Sequence, residues 1–150
     1  MTPDIRTLAV FARNWQQYLE EATVLSGRNR SRRLTYQSRQ RWVTVASALS
    51  AVGPRTIYFA EIGAGPRITH VAEIVDVEVD PSRRNARTRR LLALRPPDTK
   101  AESLWGRTLY VIRGCRRLRH PFAMSKLALA TAHKRLSRTY KYSYALVQVR

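Results

Sequence analysis

Apolar and polar positions near the start of the chain follow first a strand period and then a helical period. Residues 7–11 form a short apolar run that predicts a strand. Four residues then follow at the spacing of one helical face: Trp15, Tyr18, Leu19 and Ala22. Asn14 precedes this face and offers a side-chain oxygen as the N-terminal cap. The chain is therefore expected to begin with a strand and a capped helix.

The middle of the chain predicts a helix followed by a β-hairpin. Residues 42–51 suit a short helix that ends at a Gly-Pro pair, and residues 56–62 are a β-rich run before a Gly-Ala-Gly-Pro turn. The second hairpin strand alternates strictly, with valines at positions 75, 77 and 79 and acidic residues at 76, 78 and 80. Most of the acid is thus expected on one strand face, away from any bound polyanion.

The C-terminal part predicts two more strands and one helix. Residues 109–112 suit a buried strand, residues 125–136 suit a helix capped by Ser125, and residues 142–149 suit a closing strand. A strand-rich middle with helices near both ends favours an α+β fold over a doubly wound parallel sheet. We expect a curved or barrel-like mixed sheet with flanking helices, built by a single domain over residues 1–150.

Composition adds a strong positive charge. The 150 residues include 28 Lys plus Arg and 10 Asp plus Glu, for a net charge of +18, and they are 44% hydrophobic. A foldable chain with this excess is typical of proteins that bind the phosphates of nucleic acids. A membrane surface is the competing polyanion, but no apolar run of about 18 residues or signal-like N-terminus is present. The sequence therefore predicts a cytoplasmic protein that binds nucleic acid and no membrane.

Arginine outnumbers lysine, which favours planar, bidentate contacts with phosphate. Residues 26–41 are expected to form a mobile, basic loop that clamps phosphate, and residues 82–90 are a second arginine-rich stretch. The connection over residues 114–122, together with Arg113, offers a second basic ridge. The predicted phosphate-binding residues are Arg13, Arg28, Arg30, Arg32, Arg33, Arg113, Arg116, Arg117 and Arg119.

Signatures of catalysis are thin. The histidines at positions 70, 120 and 133 lack metal-ligand spacing, and the lone Cys115 excludes an internal disulfide and a cysteine-based zinc site. No nucleophile motif or phosphate-cradling loop is present. The sequence therefore predicts a protein that is not an enzyme and that carries no metal or cofactor.

The tryptophans suggest a way to bind bases. Trp15, Trp42 and Trp105 each stand beside basic or polar positions, whereas core tryptophans usually lie within apolar runs. An exposed aromatic ring next to arginine stacks on a base while the arginine holds phosphate. Trp105 is the best candidate because it lies in a loop just before a predicted strand, although packing in the core is the alternative for each tryptophan.

Four segments carry a resemblance to a known family: residues 10–14, 55–60, 71–74 and 108–125. In the last segment a hydrophobic strand is followed by Cys115-Arg116-Arg117-Leu118, by Pro121-Phe122 and by Ser125. This order resembles YTH domains of the PUA-like superfamily, to which EVE and ASCH domains also belong.

The resemblance implies a PUA-like fold with an aromatic cage for N6-methyladenine that has been flipped out of its strand. Trp105 falls where one cage wall is expected, and Leu25 stands where the family has a cage tryptophan. Asn14 matches a polar position near the base edge. Ser26 lies beside Leu25, where this chain lacks the tryptophan that forms a cage wall in the family. Together with Trp15, these are the candidate base-binding residues.

The leading hypothesis is a module that captures a flipped or single-stranded, modified base, with RNA favoured over DNA. One alternative is a DNA modified-base reader linked to restriction. Another is an ASCH-like ribonuclease that works without metal, for which Tyr58, Lys126 and Arg113 are the candidates. A structural ribonucleoprotein component, in which only the basic surface matters, is the third. Binding to methylated and unmethylated oligonucleotides separates the reader from the others.

Overall fold

The computed structural model describes residues 8–53, 55–130, 135–137, 140 and 142–149, and these residues form seven strands and three helices. The strands are β1 (Leu8–Asn14), β2 (Leu34–Ser38), β3 (Thr56–Glu61), β4 (Arg67–Val79), β5 (Thr108–Ala123), β6 (Leu127–Leu129) and β7 (Tyr144–Val149). The helices are α1 (Gln16–Arg28), α2 (Val43–Ala51) and α3 (Ala86–Leu92). The predicted α+β class is confirmed.

All seven strands belong to one mixed sheet in the order β2-β5-β4-β3-β1-β7-β6. β1 and β3 run parallel, with Val10 opposite Ile57, and the other pairs are antiparallel. Within the described part of the chain the ladder stays open at β2 and β6. A closed barrel is therefore not shown.

Contacts across the sheet show that it curls. Four strands separate β2 from β7. Even so, the Ser143 amide donates to Gln40 Oε1 at 2.6 Å, and the hydroxyl oxygens of Ser38 and Ser143 lie 3.4 Å apart. Right-handed strand twist accumulates over many strands and produces such curling. The loop before β7 consequently meets the end of β2.

Apolar side chains pack on both faces of the sheet because strand residues alternate. In β1, Val10 and Ala12 join the cluster beneath α1 and α2, whereas Ala9 and Phe11 join a second cluster on the other face. A third cluster lies beneath α3 and contains Leu91, Leu92, Leu109 and Val111. Residues 8–11, the hairpin and the closing strand agree with the prediction, as does α2.

Two predicted elements are wrong. Residues 26–41 are not one loop, because α1 continues to Arg28 and β2 follows with Leu34 and Tyr36 buried. β2 is buried because it pairs with β5, and the sequence of its five residues does not predict that pairing. The helix predicted from Ser125 is replaced by a 3-10 turn and by β6, which pairs with β7. Positions 131–134 of that predicted helix lie outside the described residues.

The strict alternation predicted for β4 is also interrupted. The register with β5 shifts between Ile74 and Asp76, so Val75 packs beneath α3 while Val77 joins the cluster beneath α1 and α2. Glu78 is buried and accepts a hydrogen bond from Thr88 of α3. A bulge of this kind moves following side chains to the other face, which period counting cannot anticipate.

Candidate functional site

A cavity of about 310 Å³ opens where the end of β1, the start of α1, β2 and the loop before β5 meet. This volume lies at the lower end of the range for ligand pockets, roughly 300–1,000 Å³. We call it the aromatic cavity, and it is lined by Arg13, Asn14, Trp15, Tyr18, Thr35, Tyr36, Gln37, Ser38, Arg39, Ile62, Arg95, Thr99, Glu102, Trp105 and Ser143. Four aromatic rings and several polar groups thus surround one space.

Two tryptophans of the cavity remain open to solvent. Trp15 is 52% exposed and Trp105 is 46% exposed. Trp105 is nevertheless fixed, because its indole Nε1 donates to Glu102 Oε2 at 3.0 Å and its amide donates to Gln37 Oε1 at 3.0 Å. Trp42, in contrast, is 1% exposed and stacks on Tyr110 with ring centres 4.5 Å apart. Of the three tryptophans, Trp15 and Trp105 are therefore the two available to a ligand.

Gln37 on β2 fastens the loop that carries Trp105. Its Oε1 accepts the amides of Trp105 and Gly106, at 3.0 and 2.9 Å, and its Nε2 donates to the Ser103 carbonyl at 3.1 Å. Glycine suits position 106 because a Cβ there would lie 2.9 Å from Gln37 Cβ and 3.0 Å from the Ser38 carbonyl oxygen. Hydrogen bonds from Gln37 thus connect β2 with the loop before β5.

Asn14 is buried at the end of β1 and does not cap α1 as predicted. The helix begins after Trp15, and Asn14 Oδ1 accepts the Trp15 amide at 2.8 Å. Its Nδ2 donates to the Tyr110 hydroxyl at 2.9 Å, and burial raises the pKa of Tyr110, so that hydroxyl stays protonated. Thr35 is also buried in the cavity lining, and its hydroxyl has no hydrogen-bond partner among the described residues.

Glu102 joins three other residues of the cavity. Its Oε1 accepts the Tyr18 hydroxyl at 2.9 Å, its Oε2 accepts the Trp105 indole, and its carbonyl accepts Arg95 Nη1 at 2.6 Å. Burial raises the pKa of Tyr18, and the hydrogen bond to Glu102 raises it further. Arg95 is 8% exposed, and this burial lowers its pKa. The result is a carboxylate held between two aromatic side chains.

The structure brings together Trp105, Trp15 and Asn14 of the predicted base-binding set but not the other two residues. Leu25 lies in the core, and buried Ser26 accepts the Cys115 amide at 3.0 Å. Both stand about ten residues beyond Trp15 on α1, which is about 15 Å along a helix. Neither residue lines the cavity, because their part of α1 packs on β5.

The predicted phosphate-binding arginines divide into exposed and engaged side chains. The exposed group lies at the end of α1, between α1 and β2, or on the far half of β5: Arg28, Arg30, Arg32, Arg33, Arg116, Arg117 and Arg119. Arg113 instead donates to both carboxylate oxygens of Glu73, at 2.9 and 3.0 Å. Arg13 lines the cavity while its Nη1 donates to the Tyr142 carbonyl at 2.5 Å. Residues 114–122 form strand rather than the predicted connection.

The residues of the ribonuclease alternative have separate environments. Tyr58 packs edge-on against Phe122 with ring centres 5.6 Å apart, and Lys126 is exposed on the 3-10 turn. Arg113 is occupied by Glu73. Across the described ranges, no group of three or more His, Cys, Asp or Glu side chains could hold a metal, and no helix is long and apolar enough to cross a bilayer.

Sequence reasoning missed Tyr36, Gln37, Arg95 and Glu102 as parts of the site. The alternation of Leu34, Tyr36 and Ser38 was a signal for β2 that the surrounding arginines hid. Glu102 precedes Trp105 by three positions, but that spacing in a loop carries no specific meaning.

Comparison with known proteins found no matching family model, no matching curated protein and no matching solved structure. The resemblance to YTH domains therefore stays a prediction. The aromatic cavity and the charge around it are the features of this molecule that indicate a ligand.

Proposed function

We propose that this protein binds nucleic acid by holding one flipped or single-stranded base in the aromatic cavity. The observation that carries the proposal is the pair of exposed tryptophans, Trp15 and Trp105, lining one cavity with a polar interior. Stacking on an aromatic ring contributes roughly 1–3 kcal/mol per base. Polar groups behind the rings are suited to the hydrogen-bonding edge of a base.

Positive charge beside the cavity supports the same ligand. Arg13, Arg39 and Arg95 belong to the described lining, in which Glu102 is the single acidic residue. A nucleotide joins a stacking base to an anionic phosphate, so it matches both features of this site. The net charge of +18 favours a polyanion over an isolated base.

Five more specific expectations from the sequence are part of the proposed function. They are a PUA-like fold, RNA as the favoured nucleic acid, a modified base such as N6-methyladenine, action as a binding module rather than an enzyme, and a cytoplasmic location. Each is an expectation from the sequence, and the cavity is compatible with a base whether or not it is methylated.

The test is truncation of Trp105 combined with titration of fluorescent single-stranded RNA. We expect Trp105→Ala to weaken binding by about 5- to 150-fold, because the ring on which the base stacks is removed. Trp105→Phe should keep most of the affinity because it keeps an aromatic ring. The cost of Trp105→Ala in thermal unfolding should stay within about 1 kcal/mol because the side chain is exposed.

Val24→Ala is the matched control, since Val24 is an exposed apolar residue on α1 outside the cavity lining. It should leave RNA affinity unchanged. A Trp105→Ala variant that remains folded and binds RNA as well as the unaltered protein would refute the proposal. Degradation of the RNA during the titration would favour the ribonuclease alternative.

A further inference from the structure

We propose that Glu102 selects the base, so that the aromatic cavity favours an edge with two adjacent N–H donors. Among the ordinary bases, guanine presents such a pair, at N1 and N2. This inference rests on the proposed function and specifies which base the cavity binds. It differs from the N6-methyladenine implied by the family resemblance, because N6-methyladenine offers one N–H on that edge.

Among the described residues that line the cavity, Glu102 is the only acidic one. The chain has 28 basic and 10 acidic residues, and a site that received only phosphate would be weakened by an acidic group. A carboxylate accepts hydrogen bonds and donates none. Its presence in the cavity therefore favours a ligand that supplies N–H donors.

The carboxylate is held in place before any ligand arrives. The Tyr18 hydroxyl and the Trp105 indole each bind one of its oxygens, at 2.9 and 3.0 Å. The backbone of Glu102 is fixed as well, because its amide donates to the Thr99 carbonyl at 3.0 Å and its carbonyl accepts Arg95. A fixed acceptor loses little conformational freedom when a ligand binds, so it discriminates well.

The number of free acceptor positions points to a paired donor. An ionised carboxylate has about four lone-pair sites, two on each oxygen. Tyr18 and Trp105 occupy one site on each oxygen, which leaves one free on each. Two adjacent oxygens that each keep a free site suit two adjacent N–H groups, as when arginine binds a carboxylate through two hydrogen bonds. Uracil offers a single N–H between two carbonyls, and adenine and cytosine each offer one amino group.

Replacement of Glu102 by glutamine is a specific test because Trp105 and Tyr18 determine which way the amide oxygen and nitrogen of the glutamine face. An indole N–H can only donate, so Trp105 must face the glutamine oxygen. The Tyr18 hydroxyl can accept as well as donate, so it can face the glutamine nitrogen. The variant would then present one acceptor and one donor, which is the pattern by which glutamine binds adenine.

The experiment titrates the full chain with oligouridine RNA that carries one central guanine, inosine, adenine, N6-methyladenine or uracil. We expect the unaltered protein to favour guanine over inosine by about tenfold, because inosine lacks the N2 amino group. Glu102→Gln should lose about tenfold for guanine and should bind adenine better than guanine. Glu20→Gln, at an exposed position on α1, controls for the change in net charge.

Equal affinity of the unaltered protein for guanine and inosine overturns the inference without any variant. An equal loss of affinity for every base in Glu102→Gln also overturns it, since Glu102 would then only position Trp105. If Trp105→Ala in addition binds every RNA normally, the proposed function itself fails. Failure of the base identity and failure of the binding site are therefore distinguishable.

Discussion

At the scale of single residues, identical side chains have different roles because of what surrounds them. Trp42 lies between Tyr110 and Tyr144, with ring centres at 4.5 and 5.4 Å, and its indole donates to the Ser38 hydroxyl. Trp15 and Trp105 are half exposed at the cavity. In the sequence, each of the three tryptophans has a polar or basic residue within two positions. The position of each ring relative to the curled sheet decides between core and site.

Ser26 gives a prediction that separates core from site. Ser26→Ala should lower the free energy of unfolding by about 1–3 kcal/mol, because the buried Cys115 amide loses its acceptor. RNA affinity should not change, since Ser26 lies outside the cavity lining. Urea unfolding and RNA titration measure the two effects.

Ser47→Ala is the matched control, because Ser47 is an exposed serine within α2. It should change the unfolding free energy by no more than about 0.5 kcal/mol. Weaker RNA binding by Ser26→Ala with unchanged stability would instead indicate that Ser26 contributes to base binding.

At the scale of elements, β2 organises the site although it has only five residues. Thr35, Tyr36, Gln37 and Ser38 all line the cavity, and Gln37 holds the loop that carries Trp105. β2 is an edge strand of the sheet, so its outer side is free to bind this loop. The geometry of the cavity therefore depends on one strand–loop contact.

Gly106→Ala tests how β2 and the loop fit together. The added methyl group would lie 2.9 Å from Gln37 Cβ and 3.0 Å from the Ser38 carbonyl, so the loop must move away from β2. We expect a decrease of about 1–3 kcal/mol in unfolding free energy and weaker RNA binding, because Trp105 moves with the loop. Thermal unfolding and RNA titration report the two changes.

Gly65→Ala provides the comparison, because a Cβ at Gly65 would meet nothing within 4 Å. It should leave RNA binding unaltered. Normal RNA binding by a folded Gly106→Ala variant would show that the position of Trp105 is not set by the packing of this loop on β2.

The length of β5 is a second feature that depends on contacts between elements. Its first half is buried, whereas most positions from Arg116 onward are exposed, so the far half carries no apolar signal of a strand. Pairing with β4 extends it to Ala123. Gly114 has φ of +63°, a conformation that glycine adopts without steric cost, and it lies in this long strand where the register is irregular.

At the scale of the whole molecule, acidic side chains of β4 and the residue after it are paired, while many arginines remain exposed. Glu73 binds Arg113, Asp76 binds Arg87 at 2.6 Å and Asp80 binds Arg41 at 2.7 Å. The hydrogen bond from Arg113 lowers the pKa of Glu73, and that from Arg41 lowers the pKa of Asp80. The exposed arginines therefore supply most of the field that a polyanion meets.

RNA affinity is expected to fall steeply between low and moderate salt, because phosphate binding releases counterions. Combined replacement of Arg116, Arg117 and Arg119 by glutamine should reduce the slope of log affinity against log salt by roughly one unit for each phosphate that is no longer neutralised. Preference among bases should stay the same, since binding to phosphate positions the strand without specifying its sequence. Titration at several salt concentrations measures both quantities.

Replacement of Arg83, Arg84 and Arg90 by glutamine removes three other exposed charges and is the control for net charge. It should change the slope less. Equal slopes for both triple variants would mean that net charge alone governs binding. An affinity independent of salt would contradict phosphate binding altogether.

Local pattern was enough to determine the α+β class, the first and last strands, α2, the β3–β4 hairpin and the strong positive charge. Apolar periodicity reports which residues of one segment share a face, and turn residues mark where a segment ends. The tertiary structure alone decided the pairing of β2, the length of β5, the burial of Leu25 and Ser26, and the meeting of Glu102 with Tyr18. Those last two residues are 84 positions apart, and Gln37 and Trp105 are 68 apart. Interactions over such separations arise from strand order and sheet curling, which no local window of sequence contains.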